Sequence, residues 1–176
     1  MTSDDMTSDN SDDAALRAGL DDLLRHANQP MVIVTARDKD GERAGCLVGF
    51  SSQCAIDPPL YAVWLSVQNR TFEVARRADH LAVHLLAKNQ RPLAELFGSV
   101  TDHDHDKFAH CEWDDGPYGL PILRQAAGWF AGPVRAIPSS GDHELFIVNP
   151  QVARGRLDEQ PLSFQDVKDL HAGNPA

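Results

Sequence analysis

The chain has 176 residues, 42% of them hydrophobic, which is enough for one domain with a real core and too few for two. Its formal net charge of −10 and its lack of a basic block argue against nucleic acid binding, which depends on clustered Lys and Arg. No window approaches the length of about 18 apolar residues that a membrane helix needs, and the acidic start is unlike a signal peptide. We therefore expect a soluble, cytoplasmic protein with no membrane partner.

The N-terminal part of the chain combines a polar segment with one predicted helix. Residues 1–12 are acidic and have nothing to bury, so we predict that they form a disordered tail. A helix is predicted from its cap, Asp12 or Asp13, to near Asn28, because leucines recur at helical spacing within it: Leu16, Leu20, Leu23 and Leu24. We expect this helix to lie on a sheet.

Short β-rich runs dominate from residue 31 onwards. Strands are predicted at 31–36, after the polar turn 38–41, and at 60–67, 81–86, 127–137 and 143–148. Short helices are predicted near Asn69 and after Gln90, and residues 98–121 form an irregular loop long enough to have a function. This pattern predicts one mainly β domain over residues 13–170, an antiparallel barrel decorated by helices, with a flexible tail at 171–176.

Cysteine and histidine residues do not form a recognisable ligand set. Cys46, Cys54 and Cys111 make no Cys-x-x-Cys pair, so we predict reduced and mostly buried thiols. In the run Asp102-His103-Asp104-His105-Asp106, near His110 and Cys111, alternate side chains point to opposite sides, and no second cluster completes a zinc site. We predict a solvated acidic loop and no metal.

The stretch from Ala44 to Leu60 carries the strongest local signal. It begins as an apolar strand, passes through Gly49, Ser51 and Ser52, and ends in an Asp-Pro-Pro turn. Glycine allows close approach to the backbone, and the serine hydroxyls can bond an anion, so the pattern indicates a phosphate cradle. An ordinary bulge or turn explains the same residues.

Four separated pieces together resemble one family. They are Gly45 through Ser51-Ser52 to Ile56-Asp57-Pro58-Pro59-Leu60, then Leu81-Ala82-Val83-His84-Leu85-Leu86, Asp106-Lys107-Phe108 and Gly141-Asp142-His143-Glu144-Leu145-Phe146. Their order and spacing, over residues 30–150, resemble the flavin reductase-like, FMN-binding split-barrel family. The resemblance implies a Greek-key-like split β-barrel that binds FMN, with FAD as an alternative, at a homodimer interface. It also implies hydride transfer from NADH or NADPH to the flavin, with a monooxygenase as a candidate partner.

The resemblance also implies site residues. The segment Gly49, Phe50, Ser51, Ser52 and Gln53 would contact the FMN phosphate and ring, Thr35 and Ala36 would lie near the isoalloxazine, and Ala87 and Lys88 would border the flavin. His143 of the Gly-Asp-His turn would lie where the nicotinamide stacks, as the catalytic residue. The chain departs from the family at Leu47 and Phe50, where many members carry hydroxyls. Gly49, Ser51, Ser52 and their backbone amides must therefore make most of the contacts with the phosphate.

Residue chemistry adds charged candidates to this site. Arg70 opens a predicted helix and is our first candidate for the cation that an FMN phosphate needs, the alternative being a solvated arginine. Lys88 could stabilise a reduced, anionic flavin or be a plain loop lysine. His143 could equally be an exposed turn histidine. Trp64, Trp113 and Trp129 are more typical of core than of flavin stacking.

The sequence therefore predicts an NAD(P)H:flavin oxidoreductase. Two alternatives remain open from the residues. One is a protein that retains its flavin or deazaflavin and acts on another substrate. The other is a flavin carrier or sensor without turnover.

Overall fold

The computed structural model of the protein describes residues 7–24, 26–99, 106–138, 141–171 and 173. The helices within these residues are α1 (Thr7–Leu24), α2 (Arg70–Ala75), α3 (Arg91–Ser99) and α4 (Phe164–Val167). The strands are β1 (Val32–Arg37), β2 (Arg43–Val48), β3 (Ser51–Ala55), β4 (Leu60–Ser66), β5 (His80–Leu85), β6 (Trp113–Asp115), β7 (Pro121–Leu123), β8 (Gly128–Ile137), β9 (His143–Val148) and β10 (Val152–Gly155). Single 3-10 turns cover Lys88–Gln90, Lys107–His110 and Pro117–Gly119.

Eight strands form one antiparallel sheet. Its order is β2-β1-β5-β8-β9-β4-β3, with β10 paired to β8, while β6 and β7 form a separate hairpin. The two edge strands of this order are consecutive in the chain, and Gly49 and Phe50 carry the chain from one edge to the other. This antiparallel sheet with a few helices confirms the predicted mainly β class.

The alternation of side chains along β1 divides the sheet into an inner and an outer face. Val32, Val34 and Ala36 belong to the largest buried cluster, which fills the inner side of the curled sheet. Ile33 and Thr35 point to the opposite side, where Ile33 joins a second buried cluster against α3. The sheet is therefore covered on both faces along β1.

The hairpin β6–β7 is part of the layer that covers β1 and β5. The Thr35 hydroxyl donates to the Pro121 carbonyl at 2.7 Å, and the Leu123 N–H donates to Nε2 of the buried His84 at 3.1 Å. Because Nε2 accepts, the proton of the neutral ring is on Nδ1, which donates to the Ile33 carbonyl at 3.2 Å. Part of the long irregular segment predicted at 98–121 is thus a covering layer with ordered hydrogen bonds.

The first helix departs from the prediction. α1 begins at Thr7, inside the segment predicted as a tail, and ends at Leu24 rather than near Asn28. Its leucines Leu16, Leu20, Leu23 and Leu24 are 69%, 50%, 80% and 55% exposed, so the expectation that this helix lies on a sheet is wrong for the described chain. Helical spacing identifies an apolar face but not the surface that covers it. None of the described helices is both long and apolar enough to cross a membrane.

Candidate functional site

The candidate site is the outer face of four neighbouring strands, β8, β9, β4 and β3. Val63, Leu65 and Phe146 point into the core, so their neighbours on the same strands point outward. The register aligns the outward residues in two rows across the strands: Arg135, Ile147, Ala62 and Ser52 in one, and Ile137, Leu145, Trp64 and Phe50 in the other. We call these eight residues the outer face.

The outer face is largely apolar and accessible. Trp64, Leu145 and Ile147 are each half-buried, and none of them belongs to the buried clusters found among the described residues. Phe50 is 56% exposed. The hydroxyl of Ser52 and the guanidinium of Arg135 stand at the two ends of one row. An apolar surface with a hydroxyl and a cation at its margins suits a ring system that carries an anion.

His143 stands beside this face. Its ring meets Phe50 edge-on, with the ring centroids 5.2 Å apart, and its Nδ1 lies 2.8 Å from an oxygen of Asp142. The hydrogen bond from His143 lowers the pKa of Asp142 below its usual range, so this carboxyl stays ionised and orients the imidazole. The structure thus brings the predicted residues Phe50 and His143 into direct contact.

The two serines of the predicted cradle point to different sides of β3. Ser51 lies opposite the inward Val63, and its Oγ is 3.0 Å from the Tyr61 hydroxyl. Ser52 points outward and donates to the Gln53 carbonyl at 3.1 Å, while Gln53 itself donates to the Ala55 carbonyl at 3.0 Å. A strand alternates its side chains, so adjacent hydroxyls cannot face one anion from a regular strand.

Gly49 lies at the bend between β2 and β3. A Cβ added there would lie 3.4 Å from the Met31 sulfur, an ordinary contact, so packing does not require glycine at this position. The absent side chain leaves the backbone next to Phe50 open to approach.

Both predicted cations are already paired with carboxylates. Arg70 contacts Glu42 and Glu73. Lys88 lies 2.9 Å from Asp166, whose pKa falls to about 2 because Ser163 and then Lys88 donate hydrogen bonds to it. Arg135, by contrast, forms none of the ion pairs identified among the described residues. It is the better placed cation for the outer face.

The remaining predicted residues lie away from the outer face. Thr35 and Ala36 are fully buried in β1 between β2 and β5, so neither presents an exposed atom to a ligand in this structure. Ala87 is also buried, bridged to Pro161, and Lys88 lines a separate cavity of about 560 Å³. The structure therefore does not gather all predicted contacts into one place.

Metal binding has no support within the described residues. Most of the run Asp102-His103-Asp104-His105-Asp106 lies outside them, with only Asp106 described, and its carboxylate caps the turn at Phe108 and pairs with Arg43. The described His, Cys, Asp and Glu side chains form no group of three that could hold a metal ion.

Comparison with known proteins decides the family. Residues 24–170 match the model of the flavin reductase like domain. The chain belongs to this flavin reductase-like family. A Rhizobium meliloti protein named "Probable flavin reductase" is 30% identical over 117 residues, which cover 66% of the chain but only 37% of that relative. An Acinetobacter baylyi protein, the reductase component of a flavin-dependent trigonelline monooxygenase, is 26% identical over 116 residues, covering 66% of the chain and 36% of the relative.

One relative matches the flavin reductase-like chain over nearly its whole length. The NADH:riboflavin 5'-phosphate oxidoreductase of Streptomyces pristinaespiralis is 27% identical over 158 residues, covering 88% of the chain and 86% of the relative. The crystal structure of a flavin reductase domain protein from Arthrobacter superposes with a TM-score of 0.77 at 20% identity, covering 91% of the chain and 96% of that structure. This likeness confirms the fold.

Sequence reasoning missed part of the outer face of this flavin reductase-like chain. Arg135 was not singled out, and Trp64 was assigned to the core although it is only half-buried. The signal was the alternation in β4 and β9, which puts Trp64, Leu145 and Ile147 on the side opposite the core residues. Using it requires the strand register, which the sequence does not state.

Proposed function

We propose that this flavin reductase-like chain is an NAD(P)H:flavin oxidoreductase that transfers a hydride from a nicotinamide to FMN. The observation that carries the proposal is the family match across residues 24–170, most of the chain. The named activity of the Streptomyces pristinaespiralis relative, aligned nearly end to end, supports NADH and riboflavin 5'-phosphate, which is FMN, as the substrate pair. FAD is the alternative flavin.

The outer face fits the chemical demands of a bound flavin. The isoalloxazine is flat and largely apolar, and Phe50, Trp64, Leu145 and Ile147 offer apolar and aromatic contacts that exclude water. An FMN phosphate needs a cationic partner, which Arg135 provides at one end of the row, and Ser52 offers a hydroxyl to the opposite end of the ligand. When bound, the flavin supplies the redox chemistry, and the protein supplies orientation and a dry surface.

His143 is proposed to orient the nicotinamide. The ionised Asp142 holds its ring at Nδ1, and Phe50 contacts the ring from the side. A ring fixed in this way beside the outer face can limit the motion of a second ring placed against it, which is what hydride transfer requires of the protein. Thr35, Ala36, Gly49, Ser51, Gln53, Arg70, Ala87 and Lys88 stay predicted flavin contacts from the resemblance.

Flavin binding and exchange test this function. FMN fluorescence should be quenched on addition of the protein, and NADH or NADPH should be consumed when free FMN is present. A flavin substrate is released on dilution and a retained cofactor is not, so dilution separates the reductase from an enzyme that keeps its flavin. Tight FMN binding without nicotinamide oxidation would instead indicate a carrier or sensor. Lack of any FMN binding would refute the proposal.

Assembly and partners are part of the same proposal. A homodimer would bury the exposed apolar outer face and place a flavin between two subunits, and light scattering of the flavin-bound protein tests this. The Acinetobacter baylyi relative is a monooxygenase reductase component, which supports a monooxygenase as the acceptor of reduced flavin. We also propose that the protein acts in the cytoplasm.

A further inference from the structure

A second cavity lies beside α3, away from the outer face. Its volume is about 460 Å³, within the range of roughly 300–1,000 Å³ typical of small-ligand pockets. One wall is formed by Pro92, Leu93 and Leu96 of α3. None of the outer-face residues lines it, so it is a distinct candidate site.

The polar part of this α3 pocket consists of amide and imidazole side chains. Asn89, His110 and Gln125 contribute exposed side chains, and none of the lining residues that the structure describes is Asp, Glu, Lys or Arg. Because 24% of the residues in the chain are charged, a pocket whose described lining lacks them favours ligands that carry no charge. An anionic ligand would lose hydration there without meeting a lysine or arginine among the described lining residues, whereas an uncharged polar ligand would find donors and acceptors.

Hydrogen bonds hold the pocket wall in place. The Gln90 carbonyl oxygen accepts from the backbone N–H groups of Ala87 at 2.8 Å and Ala127 at 3.2 Å, and its amide nitrogen donates to the Gln125 carbonyl. Gln90 therefore links the turn before α3 to the strand region on the other side of the pocket. The side-chain amides of Asn89 and Gln125 make none of the hydrogen bonds identified among the described residues. They are available to a ligand on a wall that is already ordered.

We propose that the α3 pocket binds an uncharged nitrogen heterocycle of purine size. The amides of Asn89 and Gln125 each offer a donor and an acceptor, as the edge of a purine does, and the proline and leucine wall supplies contact for a ring face. This preference for an uncharged heterocycle rests on the pocket lining alone and does not depend on the proposed function.

Cys111 provides a direct readout of occupancy. It is half-buried and lines the pocket, whereas Cys54 is exposed on β3 and Cys46 is buried. Burial and then the charge of Asp106 raise the pKa of the Cys111 thiol, so alkylation is best followed at mildly alkaline pH. The experiment uses the full chain, iodoacetamide as reagent, adenosine as uncharged probe, and peptide mass spectrometry to read Cys111 and Cys54 separately.

Adenosine should slow alkylation of Cys111 saturably, by about tenfold at ten times its Kd, and leave Cys54 unchanged. A Cys111 rate independent of adenosine up to its solubility limit would overturn the proposal. FMN quenching measured on the same samples reports on the proposed function separately, because FMN, unlike NADH, contains no adenine. Active reductase without adenosine protection refutes the pocket alone.

Amino-acid substitutions test whether adenosine protects Cys111 by binding in the α3 pocket. Leu96→Trp puts an indole into the pocket and should abolish protection, while the matched control Glu95→Trp, on an exposed neighbour outside the lining, should keep it. Gln125→Ala removes one exposed amide with little effect on folding and should weaken adenosine binding by about fivefold, the cost of one neutral hydrogen bond. Full protection in Leu96→Trp would place the adenosine elsewhere and contradict the assignment.

Discussion

His84 should make the fold sensitive to acid. It is completely buried, and burial lowers its pKa from 6.5 to about 4, an effect that the hydrogen bond to the Ile33 carbonyl opposes only in part. Above pH 6.5 the ring is neutral in both the folded and the unfolded chain, so it does not make stability depend on pH. As the pH falls below 6.5, the unfolded chain takes up a proton that the folded chain excludes, and stability drops until the pH reaches about 4.

The size of this loss follows from the difference between the two pKa values. Each pKa unit corresponds to about 1.4 kcal/mol, so lowering the pKa from 6.5 to about 4 implies a loss of about 3 kcal/mol. Protonation of Nε2 also removes the acceptor of the Leu123 N–H, which ties the β6–β7 hairpin to the sheet. The loss at acid pH should therefore be accompanied by loosening of this hairpin.

Urea unfolding between pH 7.5 and 4 measures the effect. His84→Gln removes the titrating group and should lower stability at pH 7.5 by roughly 1–3 kcal/mol, because buried hydrogen bonds are lost. Its stability should then fall less steeply than that of the wild type between pH 6.5 and 4. His26→Gln, at an exposed histidine, is the matched control and should follow the wild type. Parallel pH profiles for wild type and His84→Gln would refute the argument.

Three further substitutions test the site and the packing. Arg135→Ala should weaken FMN binding by about tenfold or more, as expected for a lost charge-assisted hydrogen bond. The affinity for riboflavin, which has no phosphate, should stay unchanged, and Arg154→Ala is the control. Equal losses of affinity for both flavins would contradict a phosphate contact. His143→Ala should abolish most NAD(P)H turnover while FMN quenching persists, and unchanged kcat/KM would make His143 an ordinary turn residue. Gly132→Ala would put a methyl group onto the Asn149 carbonyl oxygen and should lower the free energy of unfolding in urea by roughly 1–3 kcal/mol. The control Gly19→Ala, where nothing lies within 4 Å of the added methyl group, should not lower it. A Gly132→Ala variant as stable as the wild type would show that the backbone shifts to make room for the methyl group.

Most strands of the main sheet were predictable because their apolar residues alternate or cluster between turn signals, whereas the short strands β6, β7 and β10 were not predicted. The helix after Asn69 was predictable for a similar local reason, and the Asn69 side chain caps it by accepting from the Thr71 N–H at 2.9 Å. Packing between distant segments was not predictable. The exposed leucines of α1 and the hairpin that covers Thr35 depend on tertiary contacts that local periodicity does not encode.

The candidate site was likewise predictable only in part. The contact between Phe50 and His143 joins two segments that the resemblance had already connected. The opposite directions of Ser51 and Ser52 follow from strand alternation, and the pairing of Arg70 with Glu42 and of Lys88 with Asp166 needed the structure. Arg135 carries no motif, and only the register across β8, β9, β4 and β3 relates it to Ser52.

Reduction of FMN by a nicotinamide under anaerobic conditions tests the central claim most directly. Catalytic amounts of the protein, mixed with excess FMN and NADH or NADPH, should bleach the visible absorption of the flavin over many turnovers, since a reductase uses FMN as substrate. Bleaching no faster than in a protein-free control, with either nicotinamide, would contradict the assignment as a flavin reductase.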